Sequence, residues 1–489
     1  MDWFQGVLDV YSIVMDFVYI TSVILVIVII FLERSDPRTT AVWMVILLLF
    51  PIFGFIIYLF FGQTFYSRRQ FSIKNLDDER ILKVQTELQA SSGPEEAETD
   101  EDVRIFAAGM SNMGRSPYSR NNDVDLYTEG ESFYRDLLND LKNAKKFINA
   151  EYYIVRNDQL SNEFMDILIA KATEGVKVKL MIDAIGNNRG PFDRVKELKK
   201  AGGEYTLFHR TITVLLSPKK NNRNHRKLTV IDGEIGYVSG FNIGDEYLGK
   251  SDKGFWRDTG VRITGTSALS INLRFFMDWG YATGNHIDAN DPGLRRYLPT
   301  DPNKKYGNDV VQIISGGPDS KENPIEMQYL KMIYTAKKTI YIHTPYLAPS
   351  TDIMKALMLA AQSGVDVRII MVDRPDHAFV FWASLWFSKE LIEKGVRIFH
   401  YNKGFIHSKA IVVDGKYCSV GSANLDQRSM ALNFETNAMM YSERLGQKMD
   451  EAFREDLTYC TEYTEDNYSR YTRRRNFKIR FARLFSALA

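Results

Sequence analysis

The 489-residue chain has only two cysteines, Cys418 and Cys460. That is too few for a disulfide framework or a cysteine-built metal site, and it suits a reducing compartment. The chain also lacks an excess of either charge: 62 Lys and Arg stand against 61 Asp and Glu, a formal net charge of +1. An enzyme of nucleic acid more often has a strong basic surplus, so no nucleic-acid partner is expected. There is no Cys/His cluster of zinc-like spacing and no carboxylate-rich metal motif, so no metal or other cofactor is expected. Apolar residues, by contrast, make up 45% of the chain, enough to fill the cores of about two or three domains.

Those apolar residues are most concentrated at the amino terminus. Phe17 to Leu32 is interrupted only by Tyr19, Thr21 and Ser22, and the run extends back to Val10 by taking in Asp16. Thr40 to Gly62 is a second run, without a charge. Helices of that length reach ~35 Å, enough to cross a hydrocarbon core of about 30 Å. The expectation is a membrane hairpin over 1–66, with spans at about 10–32 and 40–62 joined by the polar turn Glu33 to Arg38. The start, Met1-Asp2-Trp3, has no basic run and no small-residue cleavage site follows, which argues against a removed signal peptide. Arg68, Arg69 and Lys74 after the second span, against Arg34 and Arg38 in the turn, narrowly favour catalytic domains on the cytoplasmic side. Residues 67–121 read as a juxtamembrane segment and an acidic linker, the latter at Ala90 to Asp102.

From about Asn122 the pattern becomes α/β. Ser132 to Leu141 reads as a helix, Lys146 to Val155 as a strand, Glu163 to Glu174 as a helix, Val176 to Ile182 as a strand and Asp193 to Ala201 as a helix. Such alternation predicts a mainly parallel sheet with helices on its faces. The order then repeats. Ala144-Lys145-Lys146 has its counterpart in Ala336-Lys337-Lys338, and Gly175-Val176-Lys177-Val178 in Gly364-Val365-Asp366-Val367. The expected fold is two tandem α/β domains, 122–300 and 301–489, related by duplication.

Each half carries one H-x-K-x4-D-G stretch, His225 to Gly233 and His407 to Gly415, with Asn242 or Asn424 ten residues beyond its Asp. In a strand, alternate side chains share a face, so His225 projects with Lys227 and His407 with Lys409. Asp232 and Asp414 lie at odd separation from the histidines and sit in Asp-Gly pairs, a strong signal for a two-residue hairpin. If those pairs are the turns, His225 opposes Gly240, His407 opposes Ser422, and Asn242 and Asn424 share the histidine face. Imidazole, ammonium, amide and hydroxyl together suit a phosphoryl group, with Lys and Asn on its oxygens and His near phosphorus. Two such faces give two imidazoles, one to attack phosphorus and one to move a proton. Their parity gives Asp232 and Asp414 a turn-setting role, leaving Asp258 and Glu435 as candidates to orient the imidazoles.

These stretches resemble the phospholipase D superfamily and, within it, bacterial cardiolipin synthases. The paired motifs carry the superfamily. The likeness narrows through Ile148 to Tyr153, Arg223 to Lys227, Asn242 to Tyr247, Gly421 to Ser429, Asn433 to Glu435 and the twin amino-terminal spans with Asp36 to Trp43. It implies a shared, pseudo-twofold active site at the plasma membrane, with phosphatidylglycerol and anionic membrane lipid as partners. It also implies conversion of two phosphatidylglycerol molecules to cardiolipin and glycerol, with His225 as nucleophile and His407 as acid/base. On family grounds Asp232 and Asp414 join them as catalytic residues, beside Lys227 and Lys409 from the shared face, with Asn242, Ser422 and Asn424 of that face binding substrate. Thr259-Gly260 and Ala348-Pro349-Ser350 depart from the family pattern. The rival readings are a membrane phospholipase D using water or another alcohol, and a lipid-binding scaffold without activity. The basic tail Ser469 to Ala489 fits a helix on an anionic membrane or one packed on its own domain. No protein partner is indicated.

Overall fold

The computed structural model describes residues 2–32, 37–50, 53–54, 58, 101–114, 116–187, 190–209, 222–285, 304–320 and 322–484. The chain falls into two compact units, Met1–Leu76 with Arg210–Asn221, and Asp77–His209 with Asn222–Ala489.

The first unit contains α1 (Asp2–Leu32) and α2 (Pro37–Leu49). Val26 and Leu47 are buried against each other, and Trp43 meets Tyr58 edge-on with ring centroids 5.2 Å apart. Most apolar side chains described along α1 point outward, including Ile13, Phe17, Ile20 and Ile24. Among the described residues no helix is long and apolar enough to cross a membrane. Much of the expected second span, and the whole acidic linker up to residue 100, lies outside the described residues.

The second unit opens with α3 (Glu101–Gly114). Its first half then runs β1 (Tyr118–Tyr127), α4 (Gly130–Asn143), β2 (Phe147–Tyr152), α5 (Gln159–Thr173), β3 (Lys177–Asp183), α6 (Phe192–Lys200) and β4 (Glu204–Phe208). It closes with β5 (Leu228–Ile231), β6 (Ile235–Ser239), β7 (Gly260–Gly265) and α7 (Ser267–Thr283). The second half repeats the order: β8 (Asp309–Gly316), α8 (Pro324–Thr335), β9 (Thr339–His343), α9 (Thr351–Gln362), β10 (Asp366–Val372), α10 (Ala378–Ile392) and β11 (Arg397–Tyr401). Then come β12 (Ala410–Val413), β13 (Tyr417–Gly421), β14 (Asn433–Tyr441), α11 (Glu443–Leu457), β15 (Cys460–Tyr463) and α12 (Arg473–Leu484).

All these strands join one sheet, in the order β15-β11-β10-β9-β12-β13-β14-β8-β1-β7-β6-β5-β2-β3-β4. The antiparallel pair β1–β8 is the seam, and the order reads alike outward from it on both sides, except that the second half adds β15 at its edge. The expected mainly parallel sheet is corrected to a mixed one. Along that order β2–β3–β4 and β9–β10–β11 are parallel and the remaining neighbours antiparallel. Helical crossovers connect those strands, but each half then returns by a hairpin, which forces antiparallel pairing.

The hairpins also correct the expected register. Ile231 pairs with Ile235 and Val413 with Tyr417, one residue beyond a two-residue loop. Asp232 and Gly233 have φ of 55° and 77°, Asp414 and Gly415 of 55° and 64°, as a tight turn with both central residues left-handed requires. One extra residue, Glu234 or Lys416, then enters before the ladder starts, so the expected His225–Gly240 and His407–Ser422 pairs do not form. Instead Gly240 N donates to Thr259 O and Ser422 N to Thr436 O.

Candidate active site

The two histidines sit just before β5 and β12, where short parallel strands stitch the halves together. Arg223–Asn224 pairs with Asn433–Phe434, and His225 N donates to Phe434 O at 2.9 Å. Gly404–Ile406 pairs with Phe255–Arg257, and His407 N donates to Arg257 O at 2.7 Å. Each histidine is thus fixed beside the residue preceding a carboxylate of the other half. His225 Nδ1 lies 2.9 and 3.0 Å from the two oxygens of Glu435, and His407 Nδ1 lies 2.6 Å from Asp258 Oδ2. The dyads are crossed. With Nδ1 engaged in both, Nε2 is the nitrogen left for a substrate.

Lys227 Nζ donates to His225 O at 2.6 Å, and Lys409 Nζ donates to His407 O. Both lysines are buried, and burial pushes Lys227 down to about 7 and Lys409 to about 8. Burial also lowers both histidines. His407, with Lys409 adding to the effect, reaches about 4, whereas Glu435 opposes the fall at His225. Burial raises Glu435, but His225 and Lys227 outweigh it and hold the carboxyl below its ordinary value. Lys227 and Lys409 converge here with the two imidazoles, beside the Glu435 and Asp258 carboxylates, a basic cluster of the kind that suits a phosphoryl group.

The remaining sequence candidates divide. Asp232 and Asp414 are seven residues of chain from their histidines, about 23 Å if extended. Asp232 accepts from the backbone N–H groups of Lys145, Lys146 and Phe147, at 2.7 to 3.0 Å. Asp414 does the same for Lys337, Lys338 and Thr339. The repeated Ala-Lys-Lys landmarks are therefore the donors that the turn aspartates hold. The structure does not bring these aspartates to the imidazoles. Asn242 is likewise used inside its own half: Oδ1 accepts from Ile154 N at 3.0 Å and Nδ2 donates to Tyr247 Oη at 3.1 Å. Ser422 Oγ accepts from Thr436 N at 3.0 Å, bracing the strand that presents Glu435. Only Asn424 keeps a spare group, a buried Oδ1 without a hydrogen-bond partner.

Several residues at the site escaped the sequence reading. Tyr247 Oη lies 3.3 Å from His407 Nδ1, and Tyr153 meets the His225 ring edge-on at 4.9 Å. Arg226, the middle residue of the first motif, is completely buried. Its Nε donates to Thr436 Oγ1 at 2.9 Å and to Glu435 O at 3.2 Å, and it pairs with Asp278. These partners lie on both sides of the seam between halves. Arg257 makes the matching contacts on the other dyad, donating to Asp258 O at 2.9 Å and to Thr259 Oγ1, and pairing with Asp456 at 2.8 Å. Gly240 has its own signal: a Cβ there would overlap Asp258 Oδ1, so the dyad needs glycine.

Residues 137–255 and 329–457 both match the family model described as cardiolipin synthase, PLD-like domain, and 20–63 match one described as phospholipase D-nuclease N-terminal. The chain is 38% identical to a cardiolipin synthase of Staphylococcus aureus over 480 residues, covering 96% of this chain and 95% of that one. It is 40% identical to one from Listeria monocytogenes over 476 residues, with 96% and 97% covered.

The chain belongs to the cardiolipin synthase family.

The fold is also that of a solved phosphatidylserine synthase from Haemophilus influenzae, at TM-score 0.60 and 14% identity, covering 79% of this chain and 100% of that one. The matched family segments contain both histidines, both lysines and Glu435; Asp258 follows three residues after the first segment ends.

Proposed function

We propose that the chain transfers a phosphatidyl group from one phosphatidylglycerol molecule to another, giving cardiolipin and glycerol through a phosphohistidine. The crossed pair of histidine–carboxylate dyads, flanked by two buried lysines, carries this reading. In the first step His225 Nε2 attacks phosphorus, the bond from phosphorus to the glycerol oxygen breaks, and His407 gives that oxygen a proton. In the second, the terminal hydroxyl of the other phosphatidylglycerol returns a proton to His407, its oxygen bonds phosphorus, and His225 departs. Glu435, touching His225 with both oxygens, sustains a basic nucleophile. His407, with Lys409 against it, is the readier proton donor once an anion has drawn the proton in. The lysines neutralise charge on the phosphoryl oxygens, and the spare oxygen of Asn424 suits a glycerol hydroxyl. Asp232 and Asp414 serve the fold.

Two domains, 122–300 and 301–489, would then supply one half-site each. The amino-terminal hairpin, with spans at about 10–32 and 40–62, would hold them at the cytoplasmic face of the plasma membrane. The outward apolar side chains of α1 and the separate family match over 20–63 support that placement. Labelling in whole cells tests it: a cysteine at Ser35 should react with an impermeant reagent and one at Ser72 should not, and the reverse pattern inverts the orientation.

The reaction is tested by incubating purified protein with phosphatidylglycerol in detergent micelles without added divalent metal, followed by lipid mass spectrometry. Cardiolipin and glycerol should form, and His225→Ala should abolish both. Phosphatidic acid as the main product would mean that water is the acceptor instead, and turnover only after adding metal would overturn the mechanism.

A further inference from the structure

The basic tail is not absorbed by the reaction. Its helix, α12, has six basic residues and no acidic one. One side of it is packed: Ile479 and Ala482 are buried, Lys478 lies 4.7 Å over the Trp382 ring of α10, and Arg483 lies 4.5 Å over Trp386. At 100° per residue, Arg473, Arg474, Phe477, Arg480 and Phe481 fall within about 120° of one another, opposite Ile479 and Ala482. All five are exposed. Phe477 is 69% exposed and Phe481 48%, and their rings stack with centroids 6.2 Å apart and planes 18° apart. A pair of stacked phenylalanines turned to solvent between three arginines is costly in water, so the face calls for a cover.

We infer that this outer face of α12 docks on an anionic lipid surface, with Phe477 and Phe481 entering the headgroup boundary and Arg473, Arg474 and Arg480 taking lipid phosphates. Charge decides in favour of a bilayer. Guanidinium groups pair with phosphate in two-point fashion, and each basic residue near an anionic leaflet strengthens binding roughly fivefold. The rings match the shallow apolar layer beneath, which nucleic acid does not offer in a helix-sized groove. Because α12 is fastened along α10, docking would fix the orientation of the catalytic unit on the surface. This contact is separate from the transfer chemistry.

The test uses the full chain with Cys460→Ser and Phe477→Cys, labelled at position 477 with an environment-sensitive fluorophore; Cys418 is buried and stays unlabelled. The protein is placed in nanodiscs of phosphatidylcholine alone or with phosphatidylserine, an anionic lipid outside the proposed substrates. Emission should move to shorter wavelength only in the anionic discs, retreat with added salt, and be lost in Arg473→Glu/Arg474→Glu/Arg480→Glu. Turnover of micellar phosphatidylglycerol by that triple variant should be unchanged. The inference is overturned by equal emission in both discs, or by a shift that survives the charge reversals. It is also overturned if phosphatidylcholine discs give the shift on adding RNA, or in proportion to protein concentration, which would assign the face to nucleic acid or to a second copy.

Discussion

The two half-sites share a motif but not an environment. His225 faces a glutamate with both oxygens in reach, whereas His407 faces a shorter aspartate through one oxygen and has Tyr247 beside the same nitrogen. Behind the first dyad stands Arg226 with Asp278; behind the second stand Arg257, Asp456 and His343, whose Nε2 lies 3.0 Å from Asp456. Ser422 occupies the place where the other half has Gly240. Duplication therefore preserved the imidazoles and lysines while the supports diverged, and the proposed division, one imidazole to attack and the other to shuttle a proton, rests on that difference. A symmetric site would have no such division.

The largest effects should come from the histidines themselves. His225→Ala should remove all turnover and all covalent labelling. His407→Ala should remove turnover of phosphatidylglycerol but still release the first product from a substrate with an activated phenol leaving group, which needs no protonation. Quench-flow with mass spectrometry reads this, and a phosphoryl group found on His407 would reverse the assignment. Next come the carboxylates. Glu435→Gln and Asp258→Asn should each lower kcat by about 10²–10⁴. Because Glu435 holds His225, the proposed nucleophile, Glu435→Gln should slow phosphohistidine formation even with the activated substrate, and Asp258→Asn should not.

The lysines sharpen the comparison through pH. Their folded values, about 7 and 8, lie below the ordinary 10.5, so the unfolded chain holds more protons between those limits. Stability of the empty protein should therefore rise as pH climbs from 7 toward 10, a slope that Lys227→Met/Lys409→Met removes. At pH 7 that double variant should be inactive, since no ammonium group is left to neutralise the phosphoryl oxygens. Inorganic phosphate should raise Tm of the wild type and not of the variant. The smallest catalytic effects belong to the turns. Asp232→Ala and Asp414→Ala should each cost about 1–3 kcal/mol, since three backbone donors lose an acceptor, with the pH–rate profile unmoved. A displaced profile would return those aspartates to the chemistry.

Much of this was legible along the chain. The helices and strands of the first half lie within a few residues of their expected places because amphipathic periods are local. The turn position of both aspartates followed from the Asp-Gly pairs. The register did not, because one extra loop residue, Glu234 or Lys416, leaves no mark in an Asp-Gly signal. The bracing contacts of Asn242 and Ser422 were not legible for a related reason: a residue type suited to phosphate serves equally well as a brace for backbone. Arg226 was hidden because a charged residue between His and Lys reads as solvent-facing, and only the second half, closing over it, makes it buried.

The sequence by itself determined which groups are available: two imidazoles, two ammonium groups, two hairpins that present them, and a basic, aromatic tail. Those depend on spacing over a few residues, where covalent geometry leaves little choice. Only the tertiary structure decided which carboxylate serves which histidine. Glu435 is 210 residues from His225 and Asp258 is 149 from His407. Over such separations the partner is chosen by how the two halves of one sheet join at the seam and where short strands cross between them. The opening pair of motifs becomes one site through packing across a seam, and that packing has no period to read.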